Sequence, residues 1–217
     1  MRLPYVPNPP PNPTPDDEAI INRVVARRGA RGLTPLDLTL LHSPPVTDGW
    51  NTFLGAIRTR TTLTPTVRET AICRIASLNR AWYEWEHHAP LLTAAGTSEA
   101  GLAYILSSPT QGHEPSEEAA KAGMDETLLA VLAYTDTMTA NVAVREGEMQ
   151  RLRAALQDER AVVELTATVA AYNAVSRFLV ALDVGERNGE EGRREAMRRT
   201  GEGLVDVVPW EIYTPEG

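Results

Sequence analysis

Residues 68–96, with the sequence RETAICRIASLNRAWYEWEHHAPLLTAAG, constrain the fold of this chain more than any other segment. They contain the only cysteine, two of the four histidines and three glutamates. Near the middle lies Asn79, and asparagine is, after glycine, the residue that best tolerates the left-handed conformation that ends many helices. The pattern therefore predicts two antiparallel helices, about 66–78 and 81–95, joined by a turn at Asn79 and Arg80.

This hairpin brings together side chains that one straight helix would keep apart. In a continuous helix Glu69 and His88 would lie about 28 Å apart, at roughly 1.5 Å per residue. In the hairpin, Glu69 faces residues 88–90. Glu84 lies four residues before His88 on the same helical face, and it falls in a first turn, where the helix dipole favours a carboxylate. The sequence thus predicts a pocket lined by Glu69, Glu84 and His88.

Composition restricts the classes of partner. The formal net charge is −8, from 21 basic and 29 acidic side chains, which argues against nucleic acid and anionic membranes as partners. A single cysteine excludes an internal disulfide framework and any CxxC site, and favours a reducing compartment. No apolar run occurs near the N-terminus, so we expect neither a signal peptide nor a transmembrane helix, and a cytoplasmic location.

The chain divides into three parts by composition. Residues 1–15 hold seven prolines and predict an arm that is either a disordered tail or a strap over a neighbouring subunit. Residues 16–185 read as a single helical domain, because strand signals are nearly absent. Residues 186–217 contain a charged helix and an apolar tail of the kind that docks on another surface; its apolar residues are Val205, Val207, Val208 and Trp210.

Several local patterns place the remaining elements. Thr34-Pro35 and Thr64-Pro65 are helix-start signals, a capping threonine followed by proline at the first helical position. Trp50 lies at helical spacing with other apolar residues and is expected in the core. His113 lies in a polar loop and is expected at the surface. Arg177, near the end of a charge-free helical stretch, is either a satisfied core charge or a substrate anchor.

Three segments resemble one known family. They are LLHSPPVTDGWNTFLGAIR (40–58), RETAICRIASLNRAWYEWEHHAPLLTAAGTSE (68–99) and VVELTATVAAYNAVSRFLVALDV (162–184). Together they resemble the carboxymuconolactone decarboxylase family of the alkylhydroperoxidase D-like superfamily. The resemblance covers roughly residues 38–184 and leaves out the arms at both ends. It implies an all-α bundle with a central antiparallel helix hairpin, which assembles as a homotrimer or homohexamer.

The peroxidase branch of that superfamily carries a Glu, a CxxC twelve residues later and a His four beyond the second Cys. In this chain those positions fall on Glu69, Ala81, Glu84 and His88, so the acid and the histidine match while both thiols are missing. Without paired thiols, peroxide reduction through a disulfide cannot proceed. Cys73, inside the first helix, is expected to serve packing.

A site with this acid and histidine but without the thiols resembles the decarboxylase branch of the superfamily, which uses neither a metal nor an organic cofactor. The resemblance implies a small carboxylate as substrate. His88 is the expected general acid and base, Glu84 its partner or a second acid, and Glu69 the group that orients the imidazole. Loss of carbon dioxide leaves a carbanion that such a histidine can protonate, and a second nearby carboxylate would raise one pKa.

Further residues complete the expected site. Trp82, Tyr83 and Trp85 are expected to form apolar walls beside the acid and base, with His87 as a neighbouring contact. Either Arg80 or Arg177 is expected to bind the substrate carboxylate. The alternatives that remain open are an isomerase or cyclase using the same pocket, and a non-catalytic oligomeric binding protein.

Overall fold

The computed structural model describes residues 1–110 and 113–199. Within those ranges every regular element is helical, which confirms the predicted all-α class for them. Two single-turn 3-10 helices lie at Gly29–Arg31 and Val184–Glu186. The α-helices are α1 (Pro15–Arg28), α2 (Pro35–Leu40), α3 (Pro44–Thr59), α4 (Pro65–Leu78), α5 (Trp82–Ala94), α6 (Glu99–Ser107), α7 (Glu117–Lys121), α8 (Glu126–Asn141), α9 (Glu146–Leu156), α10 (Glu159–Leu182) and α11 (Glu190–Arg199).

Helix starts follow the capping signals in the sequence. Thr34 and Thr64 each accept a hydrogen bond from the backbone N–H three residues later, and each is followed by proline at the first helical position. Before α1, the Thr14 side chain likewise accepts a hydrogen bond from the Asp17 N–H, and the Asp17 carboxylate accepts one from the Thr14 N–H. The two predicted threonine–proline starts are therefore confirmed.

α4 is the central helix of the fold and packs against α5, α6, α8 and α10. Residues 69–76 are all buried, so the helix has no solvent face over two turns. Such a helix is held by packing on every side rather than by an amphipathic stripe. Cys73 is fully buried within it, and burial raises the pKa of its thiol well above the ordinary value. Cys73 accordingly packs as a small apolar residue.

The chain reverses between α4 and α5 as predicted, but at a different residue. Asn79 has a φ of −87°, and it is Arg80 that adopts the left-handed conformation, with a φ of +54°. The N–H of Ala81 bonds to the carbonyl of Ala76 and that of Arg80 to Ser77, which is the Schellman arrangement with Arg80 in the left-handed position.

Asn79 has another part in this turn. Its side-chain amide donates to Asn173 Oδ1 at 3.1 Å and to Ser176 Oγ at 2.7 Å, both on α10. The turn is thereby fixed to the longest helix of the fold. Assigning the left-handed position to Asn79 was wrong, because its short amide side chain reaches a buried partner and the exposed Arg80 takes the turn conformation.

α10 forms the second wall of the core. Leu165, Val169 and Tyr172 are buried at 2% exposure or less. By length and composition alone α10 is the helix among the described residues that could cross a membrane, yet these apolar side chains face α4 and α8. Its C-cap, Asp183, is left-handed, and a side chain at Gly185 would meet the Tyr83 ring at 2.3 Å. Gly185 therefore permits the contact between α5 and the end of α10.

The proline-rich arm lies along its own chain. The N–H of Arg2 bonds to the carbonyl of Leu182, and that of Val6 bonds to the carbonyl of Leu38. The arm thus joins α2 to the end of α10, whereas the sequence had suggested a disordered tail or a strap over a neighbouring subunit. The apolar tail with Val205, Val207, Val208 and Trp210 lies outside the described residues.

A buried polar cluster anchors the chain around residue 113. Arg74 is fully buried and donates to both carboxylate oxygens of Asp136, at 2.6 and 2.7 Å, and to the carbonyls of Ile105 and Ser108. His113 Nε2 lies 2.7 Å from Asp136 Oδ2, and His113 is 2% exposed. The expectation of a surface histidine was wrong, since a carboxylate 23 residues away provides a buried partner.

Candidate active site

The central hairpin places an imidazole directly against a carboxylate. His88 Nδ1 on α5 lies 2.6 Å from Glu69 Oε2 on α4, and the two residues are 6% and 2% exposed. Arg68 Nε donates to the other oxygen, Glu69 Oε1, at 3.1 Å. The predicted facing of Glu69 and His88 is confirmed. A carboxylate held at both oxygens fixes the orientation of the ring that it binds.

The protonation of this pair follows from its surroundings. Burial would raise the pKa of Glu69, but the hydrogen bonds from His88 and Arg68 outweigh it, and the pKa lies below its ordinary value. For His88, burial lowers the pKa by more than Glu69 raises it. At neutral pH the pair is thus a carboxylate with a neutral imidazole. Because Nδ1 donates its hydrogen to Glu69, Nε2 is the unprotonated nitrogen.

Glu84 differs from Glu69. It is 2% exposed, and neither of its carboxyl oxygens has a hydrogen-bond partner among the described residues. Burial raises its pKa well above the ordinary value, which favours the neutral carboxylic acid over the carboxylate. The sequence had suggested the helix dipole and a second carboxylate as the influences on this group. Desolvation outweighs both.

Glu84 and His88 line a small cavity of about 70 Å³, which we call the inner cavity. Its apolar walls come from α3 and α10. The ring of Tyr172 meets the imidazole of His88 edge-on, with centroids 5.0 Å apart and planes at 85°. The other apolar lining residues are Trp50, Leu54, Val175 and Leu179, together with Leu36 of α2.

Two of the predicted contacts also line the inner cavity. Tyr83 and His87 lie on its wall, with their rings 4.3 Å apart. His87 Nδ1 lies 2.7 Å from the carbonyl oxygen of Tyr83, one turn earlier on α5. This bond holds the His87 ring against the helix.

Trp82 and Trp85 lie on the opposite side of α5. Both are buried and line a separate cavity of about 300 Å³ formed with α6 and α11. Neither tryptophan lines the inner cavity with Glu84 and His88. At roughly 100° per residue, Trp82 lies about 160° round the helix from Glu84 and Trp85 about 100° from it. Trp50, expected in the core, lies instead on the wall of the inner cavity, where its ring packs 5.3 Å from Phe178.

The two arginines predicted to bind the substrate carboxylate also lie away from the Glu69–His88 pair. Arg80 and Arg177 are exposed and line neither cavity beside the Glu69–His88 pair. The Arg177 guanidinium bonds to the Asn173 side chain and carbonyl on its own helix. Arg177 lies two residues from Val175 and from Leu179, which line the inner cavity, and two residues turn a helix by roughly 200°, so its side chain points to the opposite side of α10. Arg80 lies in the exposed hairpin turn.

Four arginines that the sequence analysis missed line the inner cavity instead: Arg27, Arg28, Arg31 and Arg58. They come from the end of α1, the turn after it and the last turn of α3. Three of them lie in the run RVVARRGAR (23–31). Its concentration of guanidinium groups in an acidic chain was the available signal.

The same four arginines line a second, larger space of about 840 Å³, which we call the outer cavity. Arg68 and Glu69 also lie on its wall. The Glu69–His88 pair therefore spans the boundary between the two cavities, with the carboxylate on the outer side and the imidazole on the inner side.

Among residues 1–110 and 113–199, no group of three or more histidine, cysteine, aspartate or glutamate side chains is arranged to hold a metal ion. Comparisons of the chain with protein-family models, with curated proteins and with solved structures found no match.

Proposed function

We propose that this protein is a cofactor-independent acid–base lyase that decarboxylates a small carboxylated metabolite of the lactone or enol type. The observation that carries the proposal is the position of a neutral acid, Glu84, one helical turn from an imidazole that Glu69 orients. The pKa of Glu84 is raised and that of Glu69 is lowered, and two carboxyls whose pKa values are moved apart in this way are typical of an active site. The resemblance to the carboxymuconolactone decarboxylase family supports the same reaction class.

In the proposed reaction the bond between the carboxylate and the substrate carbon breaks, and the electron pair moves onto an adjacent carbonyl. Protonated Glu84 donates a hydrogen bond to that carbonyl oxygen as it becomes an enolate oxygen, and keeps its proton. A carboxylic acid held neutral by burial is suited to this task. The apolar walls from α3 and α10 favour loss of the substrate's charged carboxylate.

His88 then supplies the proton. It takes up a proton at Nε2 from solvent, which the negative charge of a bound substrate favours, and transfers it to the carbanion carbon. The products are carbon dioxide, the protonated product and neutral His88. Glu69 holds Nδ1–H throughout and stabilises the transient imidazolium, so it is a positioning residue.

A second candidate reaction is isomerisation, and the neutral state of His88 favours it. An unprotonated Nε2 at pH 7 is poised to remove a proton from carbon, and Glu84 is again placed to stabilise the resulting enolate. The two reactions differ in which protonation state of His88 starts the cycle, and only decarboxylation releases carbon dioxide.

The test is a screen of carboxylated γ-lactones and β-keto acids for carbon dioxide release. We expect turnover by the native protein and a loss of about 10²–10⁴-fold in His88→Gln, the range for a general acid or base. His42→Gln is the matched control, because His42 is exposed and its Nε2 lies 2.7 Å from the carbonyl oxygen of Pro4, remote from the pair.

Binding of these acids without any chemical change would contradict the proposal and favour a non-catalytic binding protein. Equal turnover by the native protein and His88→Gln would contradict the assigned role of the imidazole.

We also propose that the protein acts in the cytoplasm as a homotrimer or homohexamer, as the resemblance implies. Apolar side chains left exposed on α3 and α10, among them Phe53 at 47% and Val163 at 67%, are compatible with contacts between subunits. Light scattering after size-exclusion chromatography tests the assembly. A monomer at micromolar concentration would contradict it.

A further inference from the structure

The four arginines beside the Glu69–His88 pair have unequal partners. Arg28 is bound to Asp37, with Nη2 2.6 Å from the carboxylate, and Asp37 is buried. Among the described residues, no carboxylate forms an ion pair with Arg27, Arg31 or Arg58. Three arginines without an ion-pair partner among the described residues thus line both cavities of a protein whose net charge is −8, and Arg27 and Arg31 are exposed.

The guanidinium groups repel one another. Desolvation and the neighbouring Arg28 and Arg58 lower the pKa of Arg27 because each disfavours its positive charge, whereas Asp37 raises it. An anion bound between the guanidinium groups would remove this repulsion. The cluster is therefore organised for a ligand rather than for the internal stability of the fold.

The two cavities differ in size as well as in lining. The inner cavity, at about 70 Å³, admits only a small part of a ligand, since roughly 10–15 Å³ of such volume holds one water. The outer cavity, at about 840 Å³, is more than ten times larger. A ligand that spans both would place a small reacting group beside His88 and a larger portion among the arginines.

We propose that the outer cavity binds a phosphate-bearing portion of the substrate, held by Arg27, Arg31 and Arg58. This inference rests on the proposed function in taking the inner cavity as the reacting site. A phosphate ester carries a charge of about −1.5 to −2 and three acceptor oxygens, which matches several guanidinium groups better than a single carboxylate does. The substrate class is thus a small carboxylic acid attached to an organic phosphate.

The test measures anion binding directly and does not require turnover. Pyrophosphate, succinate and acetate are titrated into the full chain by calorimetry at constant ionic strength. We expect pyrophosphate to bind at least tenfold more tightly than succinate and to raise the melting temperature. Equal or tighter binding of succinate would overturn the phosphate assignment.

A variant carrying Arg27→Met, Arg31→Met and Arg58→Met is expected to lose at least tenfold in pyrophosphate affinity. Its matched control carries Arg60→Met, Arg153→Met and Arg177→Met, which removes the same charge from positions that line neither cavity. Similar losses in both triple variants would mean non-specific attraction and would overturn the site. The single variant Arg58→Met, with its fold checked by circular dichroism, covers the case in which the triple variant does not fold.

The carbon dioxide assay is run separately on the carboxylic acids and on phosphate esters of the same acids, so the two proposals fail independently. Tight pyrophosphate binding without carbon dioxide release would leave the phosphate site standing and the lyase refuted. Carbon dioxide release without preferential pyrophosphate binding would leave the lyase standing and the phosphate site refuted.

Discussion

Glu84 and His88 lie one helical turn apart on α5, and the same burial shifts their pKa values in opposite directions. Burial raises the pKa of the Glu84 carboxyl and lowers the pKa of the His88 imidazole, so it favours the neutral form of both. Glu69, which faces His88 from α4, stays ionised because His88 and Arg68 both donate to it. Two carboxylates of one type thus differ in charge within a single site.

The pH dependence of the reaction distinguishes decarboxylation from isomerisation. If His88 must be protonated to deliver a proton, kcat/KM falls as the pH rises through the pKa of His88, which lies below its ordinary value of 6.5. If His88 must first act as a base, kcat/KM rises through the same pKa. Initial rates between pH 4.5 and 8.5 show whether kcat/KM falls or rises with pH. A profile that is flat over this range would contradict both reactions.

Glu69→Gln is expected to lower kcat by at least about 100-fold while leaving KM nearly unchanged. The amide can donate to Nδ1, which moves the imidazole hydrogen to Nε2 and removes the negative charge that stabilises the imidazolium. Nitrogen chemical shifts of His88 report the change of tautomer, which a purely structural effect would not produce. Glu86→Gln, on the side of α5 that faces the separate cavity, is the control. An unchanged tautomer in Glu69→Gln would contradict this account.

Glu84→Gln is expected to change how stability depends on pH. Because the folded protein raises the pKa of Glu84, the native state keeps a proton that the unfolded chain loses above about pH 4.5. The contribution of Glu84 is therefore fully present below pH 4.5 and declines as the pH rises towards the folded-state pKa, by up to about 1.4 kcal/mol per unit.

Urea unfolding from pH 4.5 to 7.5 measures this effect. The free energy of unfolding of the native protein should fall relative to that of Glu84→Gln, which cannot ionise. If the free energies of unfolding of the native protein and of Glu84→Gln changed in parallel with pH, Glu84 would already be charged in the folded state.

Asp136→Ala is expected to destabilise the protein by about 3–5 kcal/mol, because it leaves the fully buried Arg74 guanidinium without its carboxylate. His113→Ala, which removes only one bond to the same carboxylate, should cost about 1–3 kcal/mol. The exposed pair Lys121–Glu117 provides the control, and Glu117→Ala should cost less than about 1 kcal/mol. Chemical denaturation gives all three values, and an Asp136→Ala effect as small as that of the control would contradict the structural role of the cluster.

The sequence predicted the hairpin and the pairing of Glu69 with His88 because both depend on local rules. Threonine–proline caps fixed where α4 begins, and antiparallel register then determined which residues face each other. The helical repeat correctly put Glu84 and His88 on one face of α5. The same repeat puts Trp82 about 160° round the helix from Glu84, so that correction was available from periodicity alone. Trp85 lies only three residues before His88, and the packing of α6 and α11 decided which cavity it lines.

Other features depended on contacts between distant segments. His113 is buried because Asp136 and Arg74 meet it from α8 and α4. The arginines of the inner cavity come from α1 and α3, and nothing in their local pattern shows that these helices end beside α5. Arg80 took the left-handed position because the Asn79 amide is used by α10.

By itself the sequence determined the all-α class, the helix starts and the acid–imidazole pair, since each follows from interactions within about thirty residues. Only the tertiary structure decided which carboxyl is neutral and which cations line the pocket. Burial and long-range charge depend on every helix that packs around a group, and a linear pattern does not record which helices those are.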